Sequence, residues 1–328
     1  MGVPAAGDWG CRHCCLTAAA SVGQGSPSDL DVVHPVDVVA NTAVDTFVFG
    51  LGIGPTMSYG TGPGELWFAP ETEGPDAGTV PNATNWRARA TVQALLAQGR
   101  DPLTMLVEQA HRRRMTFYAS LRLGANNLKR DLDFTAPEAR AERMALLEEA
   151  LTKYHVDGLE IDCDMGGGAL FTPEHLPEGE AVLSAFVAEV RAMVDAEATR
   201  RGTPVGLGLR VLPTLNGSRL LGMDVEGILS GGLVDFIVPI FYVNEHQDPM
   251  LEVEPLAALA HRHDAWCYPA VRPFQLKDER MGWAGHASAA MYRATAVNYL
   301  SQGADALYMM QVGAATTIPF SAVACARC

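Results

Sequence analysis

Tyr154-His-Val-Asp-Gly-Leu-Glu-Ile-Asp-Cys-Asp164 is the stretch on which the reading of this chain turns. Between Gly158 and Asp164 the apolar residues Leu159, Ile161 and Cys163 alternate with Glu160, Asp162 and Asp164. A period of two belongs to a β-strand with two unlike faces. Carboxylates in a row repel one another and lose hydration when covered, so a strand built only for packing has little use for three on one side. The plain alternative is an edge strand with a solvated face. It is disfavoured because a long amphipathic helix precedes Gly158, and a strand between helices is ordinarily central in an α/β sheet.

Outward from this strand the alternation is regular. Val44 to Gly52, Thr116 to Leu123, Pro204 to Val211, Val234 to Tyr242, Ala265 to Arg272 and Ala306 to Val312 read as further strands. Helical sequence separates them: Thr84 to Gln98, Asp101 to Arg114, Pro137 to Tyr154, Leu176 to Arg201, Asp224 to Leu229, Met250 to His263 and Ala284 to Gln302. Asp101 as N-cap with Pro102 at the first helical position marks one start. Adding Cys14 to Val22 as a weak first strand gives eight strand units. Repeated strand and helix units imply a parallel sheet with right-handed crossovers, and eight of them close into a (β/α)8 TIM barrel. Residues 1–40 are poorly patterned, 41–313 form the single barrel, and 314–328 read as a tail. A doubly wound open sheet would want a glycine-rich phosphate turn. Gly50-Leu-Gly-Ile-Gly54 offers the glycines, but no helix follows them.

Bulk properties narrow the function. The 328 residues are 48% hydrophobic and 19% charged, an ordinary globular balance, and the formal charge of −14 argues against nucleic acid or an anionic membrane as partner. His111-Arg-Arg-Arg114 is the basic run, and it reads as a helix end. No membrane span and no export signal are expected from the chain as given, which leaves its location open. No cofactor is implied. Two C-x-x-C pairs at the termini, among Cys11, Cys14, Cys325 and Cys328, could build one zinc site if the ends meet, but free thiols are the simpler reading. Cys163 and Cys267 read as buried strand residues. The sequence is silent on oligomeric state.

Barrels gather their functional groups at the C-terminal ends of the strands. Alternation points Tyr118, Ser120 and Arg122 inward on one neighbour of the acidic strand, and Gly206, Gly208 and Arg210 inward on the other. Small residues that leave room, with a guanidinium near each strand end, complement the acids, because the arginine fork bonds both carboxylate oxygens. Tyr268 and Arg272 share a side on a further strand. After Tyr242 come Val243, Asn244 and Glu245, where Glu245 could be a second carboxylate at a distance or merely a cap. An ion-pair network of this sort can be purely structural. Close carboxylates also push their pKa values apart, which makes one a proton donor and another a base.

The motifs Gly99-Arg-Asp-Pro-Leu103, Phe117-Tyr-Ala-Ser-Leu-Arg122, Tyr154 to Asp162, Gly231-Gly-Leu-Val-Asp-Phe-Ile-Val-Pro239 and Gly303-Ala-Asp-Ala-Leu-Tyr308 resemble the glycosyl hydrolase-like 10 family of β/α barrels. The resemblance spans roughly Val44 to Val312. It implicates Arg122, Glu160, Asp162 and Arg210, and departs from the family where Cys163-Asp164-Met165 follows the acidic strand. Asp157 to Asp164 is also similar to the acidic strand of family 18 chitinase-like enzymes, with Asp164 where that family carries glutamate.

What the resemblance implies is a glycoside hydrolase acting on a poly- or oligosaccharide. Asp162, Glu160, Asp164 and Glu245 are the candidate acids and bases. Arg122, Arg210, Tyr242, Asn244, Tyr268, Arg272 and Trp67 are the candidate substrate contacts, and Tyr59 and Trp283 are further rings able to stack on sugar. The alternatives are a degenerate barrel that only binds carbohydrate, and a hydrolase with a divalent metal on Glu160, Asp162 and Asp164.

Overall fold

The computed structural model describes residues 29–66, 80–124, 133–163, 170–240, 247–272, 274–275, 285–310 and 322–326. The chain runs through α1 (Asp29–Val39), β1 (Val44–Ile53), a short excursion in β2 (Thr56–Met57) and β3 (Glu65–Leu66), then α2 (Val80–Ala97), α3 (Pro102–Arg112) and β4 (Thr116–Arg122). It continues with α4 (Pro137–Lys153), β5 (Gly158–Asp162), α5 (Leu176–Arg201), β6 (Gly206–Val211), α6 (Leu215–Arg219), α7 (Val225–Ser230) and β7 (Phe236–Pro239). Then come α8 (Glu254–Arg262), β8 (Trp266–Cys267), β9 (Ala270–Val271), the pair β10 (Phe274–Gln275) and β11 (Gly285–His286), α9 (Ala289–Ser301), β12 (Leu307–Met309) and β13 (Ala322–Ala326).

Helix starts follow the capping chemistry of the sequence. The Asp101 carboxylate accepts from Leu103 N at 3.0 Å ahead of Pro102, Asp224 accepts from Gly227 N at 2.9 Å, and Ser288 Oγ from Met291 N at 3.3 Å. α5 stops at Gly202, whose φ of 67° is the left-handed turn that a side chain would resist.

The strands hydrogen-bond in the order β8-β7-β6-β5-β4-β1-β13-β12-β9. β8 and β9 are consecutive pieces of one strand interrupted at Tyr268 and Pro269, so the path returns to its origin and the sheet is a closed (β/α)8 ring. Neighbouring ring strands from β1 round to β8, and β9 with β12, are parallel. The eighth place differs from expectation. Between β12 and β1 stands β13, antiparallel to both, with Ala326 opposite Val44 and Leu307. The stretch 314–328, read as a tail, thus supplies a ring strand, while Cys14 to Val22 lies outside the described residues, as do Cys11 and Cys328.

Two apolar cores confirm the alternation. Phe117, Leu159, Ile161, Leu207, Leu209 and Ile237 belong to the core that includes helical residues such as Leu147 and Val187, and so lie between ring and helices. Val48, Phe236, Val238, Ile240, Ala270 and Tyr308 form a second cluster, drawn from strands and the residues just past their ends with no helical member, inside the ring. Cys163 and Cys267 are buried, as expected.

α1 was not expected, since Pro35 interrupts its pattern. It is held to α3 by Asp37, whose Oδ1 accepts from Gln109 at 2.6 Å and pairs with Arg113 at 2.7 Å. The basic run is indeed a helix end, with His111 and Arg112 in the last turn of α3. Gly54 closes a turn at φ 56°, which agrees with rejecting a phosphate cradle.

A repeated device sets the register. Asp157, Asp235 and Asp305, each just before a strand, accept from the backbone N–H of Phe117, Leu207 and Cys267 on the preceding ring strand, at 2.7, 2.6 and 2.8 Å. Each also meets a cation or histidine of a helix: His111 at 2.8 Å, Arg191 at 2.9 Å and His261 at 2.9 Å.

Candidate active site

Four ring strands aim polar groups into the upper half of the barrel. Ser120 and Glu160 are directly paired across β4 and β5, as are Arg122 and Asp162, so the register alone sets two levels. At the lower level Ser120 Oγ donates to Glu160 Oε1 at 2.7 Å. From β6, Arg210 spans both levels. Its Nε lies 2.7 Å from Glu160 Oε1, its Nη1 donates to Asp162 Oδ2 at 2.7 Å, and its Nη2 donates to Tyr308 Oη on β12 at 2.7 Å. Arg122 Nε approaches the same Asp162 Oδ2 at 3.4 Å. Asp162 ends β5 and Arg122 ends β4, so this network sits toward the C-terminal mouth.

Both acids are buried. Glu160 is fully buried and Asp162 is 3% exposed. Burial pushes the Glu160 carboxyl upward and the charge of Asp162 adds to this, while Arg210, the Tyr308 hydroxyl and Ser120 pull the other way without cancelling it. Burial likewise drives the Tyr308 hydroxyl well above its ordinary value, and nearby Glu160 reinforces the shift. Tyr308 therefore stays neutral and serves as a fixed polar contact for Arg210. It was missing from the sequence-derived set, although alternation with Ala306 along its strand carried the signal.

The remaining residues separate by position. Arg272 is buried after β9; Ala270 lies in the inner cluster and Val271 in the outer one, so alternation returns Arg272 to the interior. Tyr268 is also interior, but packs on Phe236 with ring centroids 5.2 Å apart and faces a cavity at the opposite, N-terminal end. Asp164, Glu245, Tyr242, Asn244, Trp67 and Trp283 lie outside the described residues. Tyr59 is no sugar platform: it is fully buried, edge-on to Tyr154 at 5.3 Å, with its hydroxyl donating to Glu149 at 3.2 Å.

The inward glycines also have a different use. A Cβ on Gly206 would sit 2.0 Å from Tyr118 Oη, and one on Gly208 would sit 2.1 Å from Phe236 Cζ. The room on β6 is filled by aromatic rings of β4 and β7 and is not left for substrate. These rings, with Tyr118 and Phe236 at 5.6 Å, are the floor on which the charged levels rest.

No family model matches the chain, and no curated protein matches it. Among solved structures it is similar to a family 18 N-acetylglucosaminidase from Paenibacillus barengoltzii, at 15% identity over 52% of this chain and 55% of that one, with a TM-score of 0.36. The spore cortex-lytic enzyme of Bacillus megaterium aligns at 12% identity over 58% of this chain and 45% of that one, with a TM-score of 0.41. A chitinase from Bacillus thuringiensis aligns at 14% over 63% and 34%, with a TM-score of 0.37. The chain spans about half or less of the length of these structures. At this distance its chemistry has to be read from its own side chains.

One further group lies on the C-terminal face. Asp133, ahead of α4, accepts from Thr135 N at 2.8 Å, from Thr172 N at 2.9 Å and from His175 Nδ1 at 2.8 Å, and Phe134 N donates to Leu170 O at 2.8 Å. Partial burial works against its charge, but these donors outweigh it and hold Asp133 well below the usual carboxylate range. The same contact raises His175. The segments following β4 and β5 are thereby tied together beside the site. Among the described residues no cluster of His, Cys, Asp and Glu is arranged to hold a metal, and no helix is long and apolar enough to cross a membrane.

Proposed function

We propose that the C-terminal mouth of this barrel hydrolyses glycosidic bonds, with Asp162 as the catalytic carboxylate among the described residues and Glu160 as its support. The observation that carries this reading is the placement of Asp162. It stands at the end of a central strand between Arg210 at 2.7 Å and Arg122 at 3.4 Å, above a buried second acid. Glycoside hydrolysis asks for two carboxyl groups of unequal protonation flanking the scissile bond. Asp162 supplies a carboxylate whose charge is balanced by guanidinium groups and whose orientation is fixed.

Glu160 stands two residues below it on the same strand, farther from the mouth, where it positions Arg210 and, through it, Asp162. The second working carboxyl would come from Asp164, two residues on in the sequence, or from Glu245 beyond β7. In this reading a proton reaches the leaving glycosidic oxygen from one carboxyl while the other stabilises the developing positive charge at the sugar carbon or activates water. Arg122, Arg210 and Arg272 bring guanidinium donors of the kind that bond sugar hydroxyls close to Asp162.

A divalent metal on Glu160 and Asp162 is disfavoured by the same geometry, since Arg210 already places a positive charge against one oxygen of each. A panel of polysaccharides and oligosaccharides assayed for released reducing ends tests the proposal. Release by the wild-type protein supports it. No release from any glycan, with binding retained, would favour the carbohydrate-binding barrel instead.

A further inference from the structure

A cavity of about 620 Å³ opens at the other end of the barrel. Thr116, Gly206, Phe236 and Trp266, which line it, are the first residues of their strands, and Thr46 is the third of its own, so this is the N-terminal end, away from Asp162. Its volume falls in the range of small-molecule sites.

The walls are aromatic. Tyr118, Phe236 and Tyr268 project inward, Tyr308 closes the inner end, and Trp266 stands 52% exposed at the rim. A tryptophan left half in water at the mouth of a cavity is an available flat apolar face. Around it the rim is polar and held in place. Asp157 is fixed by Phe117 N and His111, and Asp235 by Leu207 N and Arg191. Their side chains remain 39% and 51% exposed, so they can still accept hydrogen bonds from outside. Arg114 adds donors on the same rim.

From this we infer that the N-terminal cavity is a second ligand site, one that takes a saccharide of one or two rings. A pyranose has apolar C–H faces and a hydroxylated edge. It matches an aromatic wall ringed by fixed carboxylates and a guanidinium. A purely aromatic ligand would have no use for the rim. An anion would meet Asp45, Asp157 and Asp235. Pre-set acceptors also lower the ordering cost of binding.

The site stands whether or not the upper mouth hydrolyses anything. It is nonetheless connected to it, because Tyr308 lines the cavity and its hydroxyl accepts from the same Arg210 that holds Asp162.

The test is direct binding to the full chain, followed by ligand-observed NMR, with glucose, N-acetylglucosamine, cellobiose and, as an aromatic control, p-cresol. Saturable binding of at least one saccharide is expected. It should weaken about tenfold or more in Trp266→Ala, as loss of a stacking platform does, and disappear in Thr116→Tyr, which fills the opening from an exposed position. Asp162→Asn should leave it unchanged. Three outcomes overturn the inference: no saccharide saturates, only p-cresol binds, or saccharide binding survives both lower variants, whatever Asp162→Asn does.

Discussion

Arg210 Nη1 lies 2.7 Å from Asp162 Oδ2, a hydrogen-bonded ion pair made almost entirely out of water. The same guanidinium also serves Glu160 and Tyr308, so three buried polar groups depend on one side chain. Removing one partner of a buried pair strands the other charge, at a typical cost of 3–5 kcal/mol. Arg210→Met should therefore lose about 3–5 kcal/mol of stability, read from urea unfolding. A loss within about 0.5 kcal/mol, the range of an ordinary surface change, would mean that the network is dispensable.

The raised carboxyl of Glu160 gives a pH dependence of definite sign. A group whose folded pKa lies above its unfolded value favours the fold most when protonated, below its unfolded value. Its contribution then declines as pH rises from the ordinary glutamate range toward the folded value. In Glu160→Gln, which keeps an acceptor for Ser120, that decline should vanish. Urea midpoints of the two proteins, followed upward from about pH 4, should diverge with a slope present only in the wild type. Parallel curves would show that Glu160 titrates normally.

The Asp133 and His175 pair behaves in the opposite and complementary way. Asp133 is held low, so its contribution is present above the ordinary aspartate range and is lost as pH falls through the folded value. His175 is raised, so its contribution is full below the ordinary histidine value and is lost as pH rises through the folded one. Between those limits the segments around residues 133–135 and 170–175 should be tied. Limited proteolysis should cut nearby faster at pH 9 than at pH 5.5, and equally at both in Asp133→Asn. Equal wild-type rates would contradict the clamp.

Gly208→Ala brings a Cβ against the end of the Phe236 ring and should cost about 1–3 kcal/mol through overpacking. Shortening the obstacle in Gly208→Ala/Phe236→Leu should recover part of that loss, so that the double variant is more stable than the sum of the single ones. Additive losses, from thermal or urea unfolding, would place the ring elsewhere.

The part of this barrel legible in the sequence is the part governed by a strand's own period. Glu160, Asp162, Arg122 and Arg210 point inward because every second residue must. What a neighbour does with the space was not legible. Gly206 and Gly208 look empty from β6, and only the register with β5 and β7 shows that Tyr118, reaching across Gly158, and Phe236 occupy it. β13 was missed because Ala322 to Ala326 is small and apolar on both faces, with no polar alternation to mark it. α1 was missed because proline breaks its pattern, although Asp37 ties it to α3. The strand-start aspartates left a visible trace. Val156-Asp157, Val234-Asp235 and Ala304-Asp305 repeat at the same register, and aligning the strand starts would have revealed them.

The most direct test of the account is the turnover of Asp162→Asn on whichever glycan the wild-type protein cleaves, with folding verified by an unchanged near-UV circular dichroism spectrum. The carboxamide keeps the shape of the side chain and an acceptor for Arg210, but removes the charge. Loss of a positioned acid or base typically costs about 10²–10⁴ in rate, and a fall in kcat of that order is expected here. An Asp162→Asn protein that releases reducing ends as fast as the wild type would contradict the assignment of chemistry to this end of the barrel.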